Sequence, residues 1–229
     1  MAERRRILLL GATGLIGRQV ARQARAHPGL RLFALSRRVA PLPPGSRIEM
    51  LVADPAEWPE SIARLAPAGV ICALGTTWRK AGRSEAAFRA VDYDLVVSTA
   101  LEAKDAGASN FVLVSAAGAD ANARVLYPRV KAEAEQAVSR IGFRRVDILR
   151  PGLLLGERGG DFRLFERLGQ AADPLLGPLL PARFQPFRAI DSAAVAAAAL
   201  HLSCEQGPGL HEHDNAAIAR AAANKGGRT

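Results

Sequence analysis

Three side chains in the second half of the chain have the types and spacing for proton transfer to a carbonyl or hydroxyl oxygen. Tyr127 and Lys131 stand four apart in Tyr-Pro-Arg-Val-Lys, and residues at that spacing share one face of a helix. The ammonium can then sit beside the phenol. A free tyrosine titrates at about 10, and a neighbouring positive charge favours the phenolate, as a general acid/base requires. Ser115 closes the run Asn110-Phe111-Val112-Leu113-Val114-Ser115, twelve residues before Tyr127. At the C-terminal end of a parallel strand its hydroxyl can hydrogen-bond the oxygen being reduced or oxidised. Taken alone, a Y-x-x-x-K pattern is short. Its plain alternative is a core or surface aromatic beside a solvated lysine.

A partner for that chemistry is written near the N-terminus. Gly11-Ala12-Thr13-Gly14-Leu15-Ile16-Gly17 follows the apolar run Ile7-Leu8-Leu9-Leu10 and precedes a helical pattern over Arg18–Ala26. Apolar strand, glycine turn, then helix is the opening of a dinucleotide site. Gly11 permits the tight turn, Gly14 lets a pyrophosphate approach the backbone, and Gly17 lets the helix pack close to the strand. The phosphates then lie on the positive end of the helix, against Thr13, Leu15 and Ile16 as well as the glycines. The spacing is G-x-x-G-x-x-G, one residue away from the general G-x-G-x-x-G pattern.

The residues that follow the second strand bear on the choice of cofactor. A site that takes NAD places an acid there for the ribose 2′-hydroxyl. This chain has Ser36-Arg37-Arg38, a hydroxyl and two guanidiniums suited to a 2′-phosphate. NADP(H) is therefore the expected cofactor, the alternative being two surface arginines at a strand end. Asp54 heads Asp54-Pro55-Ala56-Glu57, a helix start with an N-cap, proline and a capping glutamate. Leu74-Gly75-Thr76, after the fourth strand, should pass over the adenosine and ribose.

Taken together, Gly11–Gly17, Ser115, Tyr127, Lys131 and Arg150-Pro151-Gly152 resemble the atypical or extended short-chain dehydrogenase/reductases. More narrowly, Cys72–Thr77, Ser115–Asp120 and Arg150–Gly156 resemble small NAD(P)-binding proteins related to the Tat-interacting tumour-suppressor oxidoreductase. The likeness spans about Arg6 to Leu202. It implies that Tyr127 donates or accepts the proton, Lys131 holds the nicotinamide ribose, and Ser115 steadies the substrate. It adds Pro151, Gly152 and Leu153 to the cofactor contacts and makes Asp54 a candidate for the adenine amino group beside its capping role. Two departures stand out. Pro128 directly follows Tyr127 and restricts it, so the helix should begin nearby, where a first-turn proline is tolerated. Asp92 occupies a place where many members carry Asn.

The elements that must position these residues alternate. Strands are expected at Arg6–Leu10, Arg31–Ser36, Ile48–Val52, Gly69–Ala73, Asn110–Ser115, Arg145–Leu149 and near Leu210–His213. Helices are expected at Arg18–Ala26, Trp58–Leu65, Ser84–Ala106, Pro128–Ile141, Phe162–Gln170, Ser192–Leu202 and Ala216–Ala223. Such alternation predicts an α/β fold: a Rossmann-type, doubly wound parallel sheet flanked by helices. The stretch from Leu153 to Ile190 breaks the alternation, and the resemblance implies that it covers the substrate. Its Arg158, Arg163, Arg183 and Arg188 hint at an acidic group on the ligand.

At 229 residues, 49% of them hydrophobic, one domain over the whole chain is expected. The net charge of +9 raises nucleic acid as a partner, but the arginines are scattered with few aromatics among them. A nucleic-acid partner is not expected, and neither is a membrane. Met1–Leu10 mimics a signal peptide, but its apolar run is short and flows into the glycine turn. Cys72 and Cys204 lie far apart; a reduced, buried Cys72 is expected, and with it a cytoplasmic setting. His211 and His213 share a face on a strand, where a surface position is favoured over a metal site. Trp58 and Trp78 are expected in the core or a pocket wall, Trp78 with a gating role as the alternative. Asp191 should cap the helix that follows it. The expected activity is an NADP(H)-dependent oxidoreductase on a small-molecule substrate, as monomer or homodimer. A cofactor sensor with little turnover is the alternative.

Overall fold

A computed structural model describes residues 4–39, 41, 48–156 and 187–224. The predicted helix Phe162–Gln170, most of the predicted substrate cover, and Arg158, Arg163 and Arg183 lie outside these residues. Seven strands form one parallel sheet: β1 (Arg5–Leu10), β2 (Leu30–Ser36), β3 (Ile48–Val52), β4 (Gly69–Cys72), β5 (Asn110–Val114), β6 (Arg145–Leu149) and β9 (Gly209–His213). Their order is β3-β2-β1-β4-β5-β6-β9. The chain leaves β1 for β2 on one side and later returns to β4 on the other. That reversal between β1 and β4 is the switch point at which such sheets bind ligands, beyond the strands' C-terminal ends. A short parallel pair, β7 (Leu154–Leu155) with β8 (Ile190–Asp191), was not foreseen.

Alternation along β1 decides how the layers assemble. Ile7 and Leu9 face one cluster, with Val112, Val195 and Ile218; Leu8 and Leu10 face another, with Trp58, Val96, Phe111 and Val138. With both faces covered, every residue of the strand interior must be apolar, which is why the run is continuous. The first face is covered by α1 (Leu15–Gln23), α6 (Ser192–Leu202) and α7 (Asn215–Ala223). The second is covered by α2 (Trp58–Leu65), α4 (Leu95–Asp105) and α5 (Leu126–Arg140). Asp191 caps α6, accepting from the Ala193 N–H at 2.8 Å. Trp58 is buried as expected, whereas Trp78 is 46% exposed and belongs to no core.

The long helix predicted over Ser84–Ala106 is not one α-helix. It comprises α3 (Glu85–Arg89), a π-helical turn over Ala90–Asp94, and α4. The helix carrying Tyr127 begins at Leu126, ahead of the predicted Pro128. Pro128 thus occupies the first turn, where its missing N–H leaves no bond unmade.

Candidate active site

The glycine turn is dictated by backbone contact. Gly11 has φ +80°, and a Cβ there would stand 2.3 Å from the Ala73 carbonyl oxygen. At Gly17 a Cβ would stand 2.1 Å from the Gly11 carbonyl oxygen, so α1 meets the end of β1, and Gly11 the chain after β4, only because both positions lack side chains. The N-cap of α1 is Gly14, which makes no side-chain cap, and the first turn holds no acid. Thr13 and Gly14 are exposed, Leu15 is partly buried, and Ile16 is in the core. An uncapped helix N-terminus behind an open turn fits an anionic phosphate.

Ser115, Tyr127 and Lys131 arrive from two elements at the same edge of the sheet. The Ser115 N–H extends the β5–β6 ladder by donating to Leu149 at 2.8 Å. Its hydroxyl is buried and has no hydrogen-bond partner among the described residues. Tyr127, in the first turn of α5, is 45% exposed and its ring tilts against Phe88 with centroids 5.9 Å apart. Lys131, one turn further along, is buried. Its ammonium contacts Asp92 Oδ1 at 2.8 Å, and the phenol expected beside it acts on the same charge. Burial opposes the ammonium's charge; Asp92 first, and Tyr127 after it, outweigh that and hold the Lys131 pKa above the ordinary lysine value.

Asp92 is the residue sequence reasoning undervalued. Its Oδ2 accepts the Thr76 N–H at 2.7 Å, tying the turn after β4 to the π-helical segment. The signal was available: Phe88, Asp92 and Val96 are all buried, so an acid sits inside an i, i+4 stripe that otherwise marks the core face. Gly75 is exposed and Leu74 and Thr76 are half-buried, directly beyond β4. Asn215 was also missed. Its side chain accepts the Gly152 N–H at 2.9 Å and donates to the Arg188 carbonyl at 2.8 Å. It therefore fastens Pro151-Gly152-Leu153 to the chain just before β8.

At the far end of the cleft Ser36 donates its hydroxyl to the Arg38 carbonyl at 2.8 Å, closing the turn on which Arg37 and Arg38 are exposed. Asp54 is engaged in the capping box foreseen for it: Oδ1 accepts the Ala56 N–H, and Glu57 accepts the Asp54 N–H. The histidine pair divides. His213 is not a surface residue, because its Nε2 lies 2.8 Å from the buried Asp147 carboxylate. Arg145 also holds Asp147, at 2.6 and 2.8 Å. Burial works against that carboxylate, but hydrogen bonds from His213 and Arg145 hold its pKa below the ordinary value. Cys72 is a buried free thiol pushed up to about 11 by burial.

The chain has relatives in sequence and neighbours in fold. The chain is 38% identical over 192 residues to Protein FMP52, mitochondrial, of Lodderomyces elongisporus, covering 76% of this chain and 80% of that one. It is 38% identical over 154 residues to Protein FMP52, mitochondrial, of Saccharomyces cerevisiae, covering 66% of each. Those names overturn the cytoplasmic expectation, which rested on one buried thiol; a reduced cysteine reports redox conditions and not an address. Among solved structures, a putative NAD-dependent epimerase/dehydratase from Bacillus halodurans matches with TM-score 0.67 at 20% identity, covering 96% of this chain and 100% of that one. MoeE5 in complex with UDP-glucose and NAD matches with TM-score 0.67 at 17% identity, covering 95% and 80%. These likenesses concern the fold. The sequence model described as NAD(P)H-binding matches residues 11–176, from the glycine turn past both halves of the site, and the chain belongs to that family.

Proposed function

We propose that the protein is an NADP(H)-dependent oxidoreductase of the short-chain dehydrogenase/reductase type, acting on a small carbonyl, alcohol or sugar-like substrate. The observation that carries this reading is Ser115. Buried polar atoms almost always have partners, and this hydroxyl has none among the described residues, so a ligand oxygen is the natural one to supply. In this reading the nicotinamide, when bound, supplies or accepts hydride. Ser115 steadies the reacting oxygen, the Tyr127 hydroxyl gives it a proton or takes one back, and Lys131 keeps a positive charge behind them. Gly11, Thr13, Gly14, Leu15, Ile16 and Gly17 hold the pyrophosphate. Leu74, Gly75, Thr76, Pro151, Gly152 and Leu153 flank the riboses and nicotinamide. Ser36, Arg37 and Arg38 take the 2′-phosphate, and the free side of Asp54 takes the adenine amino group. The proposal also includes one domain over the whole chain, with the Leu153–Ile190 stretch as substrate cover, and the narrower kinship with the Tat-interacting tumour-suppressor oxidoreductase.

A second reading, a cofactor sensor with little turnover, draws support from Pro128, which directly follows Tyr127 and restricts its backbone. Calorimetric titration with NADPH and with NADH, followed by a carbonyl screen of Tyr127→Phe, separates the two. The enzyme reading expects tighter NADPH binding and a loss of turnover of about 10²–10⁴-fold with cofactor affinity preserved. Cofactor binding without turnover on any carbonyl favours the sensor, and binding of neither nucleotide sinks both.

A further inference from the structure

We propose that Phe187 is a substrate-contacting specificity residue, and that the substrate is an aldehyde or ketone carrying an apolar, ring-sized group rather than a sugar. The proposal rests on the nicotinamide reading above and narrows it. Ser115 and Ala117 donate their N–H groups to the Leu149 and Pro151 carbonyls, each at 2.8 Å. The loop after β5 and the segment after β6 therefore run side by side past the end of the sheet. Phe187 is tied to both, one residue beyond the last of those bonds. Its ring lies against Gly118, where φ is +79° and a Cβ would stand 3.0 Å from Phe187 Cε1 and 3.2 Å from Cζ. The adjoining Arg188 carbonyl is held by Asn215, whose side chain also accepts the Gly152 N–H. The ring thus sits on the loop that carries the unpartnered Ser115 hydroxyl.

Phe187 is 52% exposed, a large apolar ring left open at the site. Tyr127 and Leu153 are exposed as well, and their segments are bonded to the same frame. The Asp120 N–H donates to the Pro128 carbonyl at 3.1 Å, and the Ile190 N–H to the Leu153 carbonyl at 2.8 Å. The frame is also poor in polar side chains. Ala116-Ala117-Gly118-Ala119 and Pro151-Gly152-Leu153 hold none that can hydrogen-bond. A sugar placed against them leaves hydroxyls without side-chain partners, whereas an apolar ring loses nothing and gains contact with Phe187. Ser115 and Tyr127 are then reserved for the one oxygen that reacts. The carbonyl carbon accepts hydride and its oxygen a proton from Tyr127, giving the alcohol and the oxidised nucleotide.

The test is steady-state reduction of benzaldehyde and of D-glyceraldehyde by wild type, Phe187→Ala and Phe187→Tyr. The reductant is whichever of NADPH and NADH binds more tightly, with its affinity and the protein's Tm measured in parallel. Wild type should show kcat/KM for benzaldehyde at least about tenfold above that for D-glyceraldehyde. Phe187→Ala should raise the benzaldehyde KM about tenfold with kcat little changed, and leave D-glyceraldehyde and nucleotide affinity as they were. Its Tm should stay within about 2 °C, since the ring is half-exposed. Phe187→Tyr, which keeps the ring, should retain the benzaldehyde KM. A wild type that prefers D-glyceraldehyde, or a Phe187→Ala protein equally impaired on both aldehydes, overturns the proposal while leaving the nicotinamide reading intact. Nucleotide binding without turnover of either aldehyde overturns the proposal and favours the sensor. A wild-type protein that binds neither nucleotide overturns the proposal and the nicotinamide reading together.

Discussion

Two buried polar groups on neighbouring strands of this sheet are treated in opposite ways. Asp147, inside β6, is closed: two hydrogen bonds from Arg145 and one from His213 saturate it. Ser115, just beyond the end of β5, is open: its hydroxyl is buried with no partner among the described residues. Closed polar clusters tie a structure together, in this case the β6 and β9 edge. An open one leaves a hydrogen bond to be made by something else. The contrast lies in hydrogen bonding and not in residue type, since histidine, arginine and aspartate would ordinarily attract the functional reading first and here bind one another.

Substitutions can break that contrast if it is wrong. Asp147→Asn should cost about 3–5 kcal/mol of stability, read by denaturant unfolding, because Arg145 is left buried without its counter-charge. Cofactor affinity should stay within about twofold. The pH dependence follows from the same contacts. A carboxylate held below its ordinary range stabilises fully above about pH 4, and that contribution is lost as pH falls through the lowered folded value. The Asp147→Asn protein should therefore show a flatter acid limb than wild type.

Ser115→Ala should behave in reverse. Removing a hydroxyl that makes no bond should leave Tm unchanged or slightly raised. Turnover on a responsive carbonyl should fall about 10²–10³-fold, as when one oxyanion donor is removed. A large loss of stability in Ser115→Ala would show that the hydroxyl is structural after all.

The glycine turn supplies the smallest and most local comparison. Gly17→Ala forces a Cβ to within 2.1 Å of a backbone oxygen and should cost about 2–3 kcal/mol in unfolding free energy. Gly14→Ala meets only the Gly11 oxygen at 3.3 Å, with the Ala73 oxygen at 4.0 Å. It should cost under about 1 kcal/mol, with its effect appearing in NADPH affinity. Equal stability losses at the two positions would mean that Gly14 serves packing and not a ligand.

Much of this was legible from residues alone. The ends of Ile48–Val52, Trp58–Leu65, Arg145–Leu149 and Ser192–Leu202 agree with the structure residue for residue, because apolar periodicity and capping residues such as Asp191 act over a few positions. The π-helical turn was not legible. An extra residue in one turn is stabilised by what its side chain meets, and Asp92 meets Lys131 and Thr76 from remote parts of the chain. The same holds for His213, whose polar surroundings in sequence suggested a surface and whose partner Asp147 lies 66 residues away in the chain. Asn215 gave no local cue at all beyond the start of a helix.

The sequence by itself determined the seven strands of the main sheet, the glycine turn and the order of the elements, because hydrophobic alternation and the missing Cβ at Gly17 act through nearby backbone. Tertiary structure alone decided which charges would be neighbours. Lys131 was written four residues from Tyr127, and the fold adds Asp92 to its surroundings at 2.8 Å, because a buried ammonium is held where a carboxylate can face it.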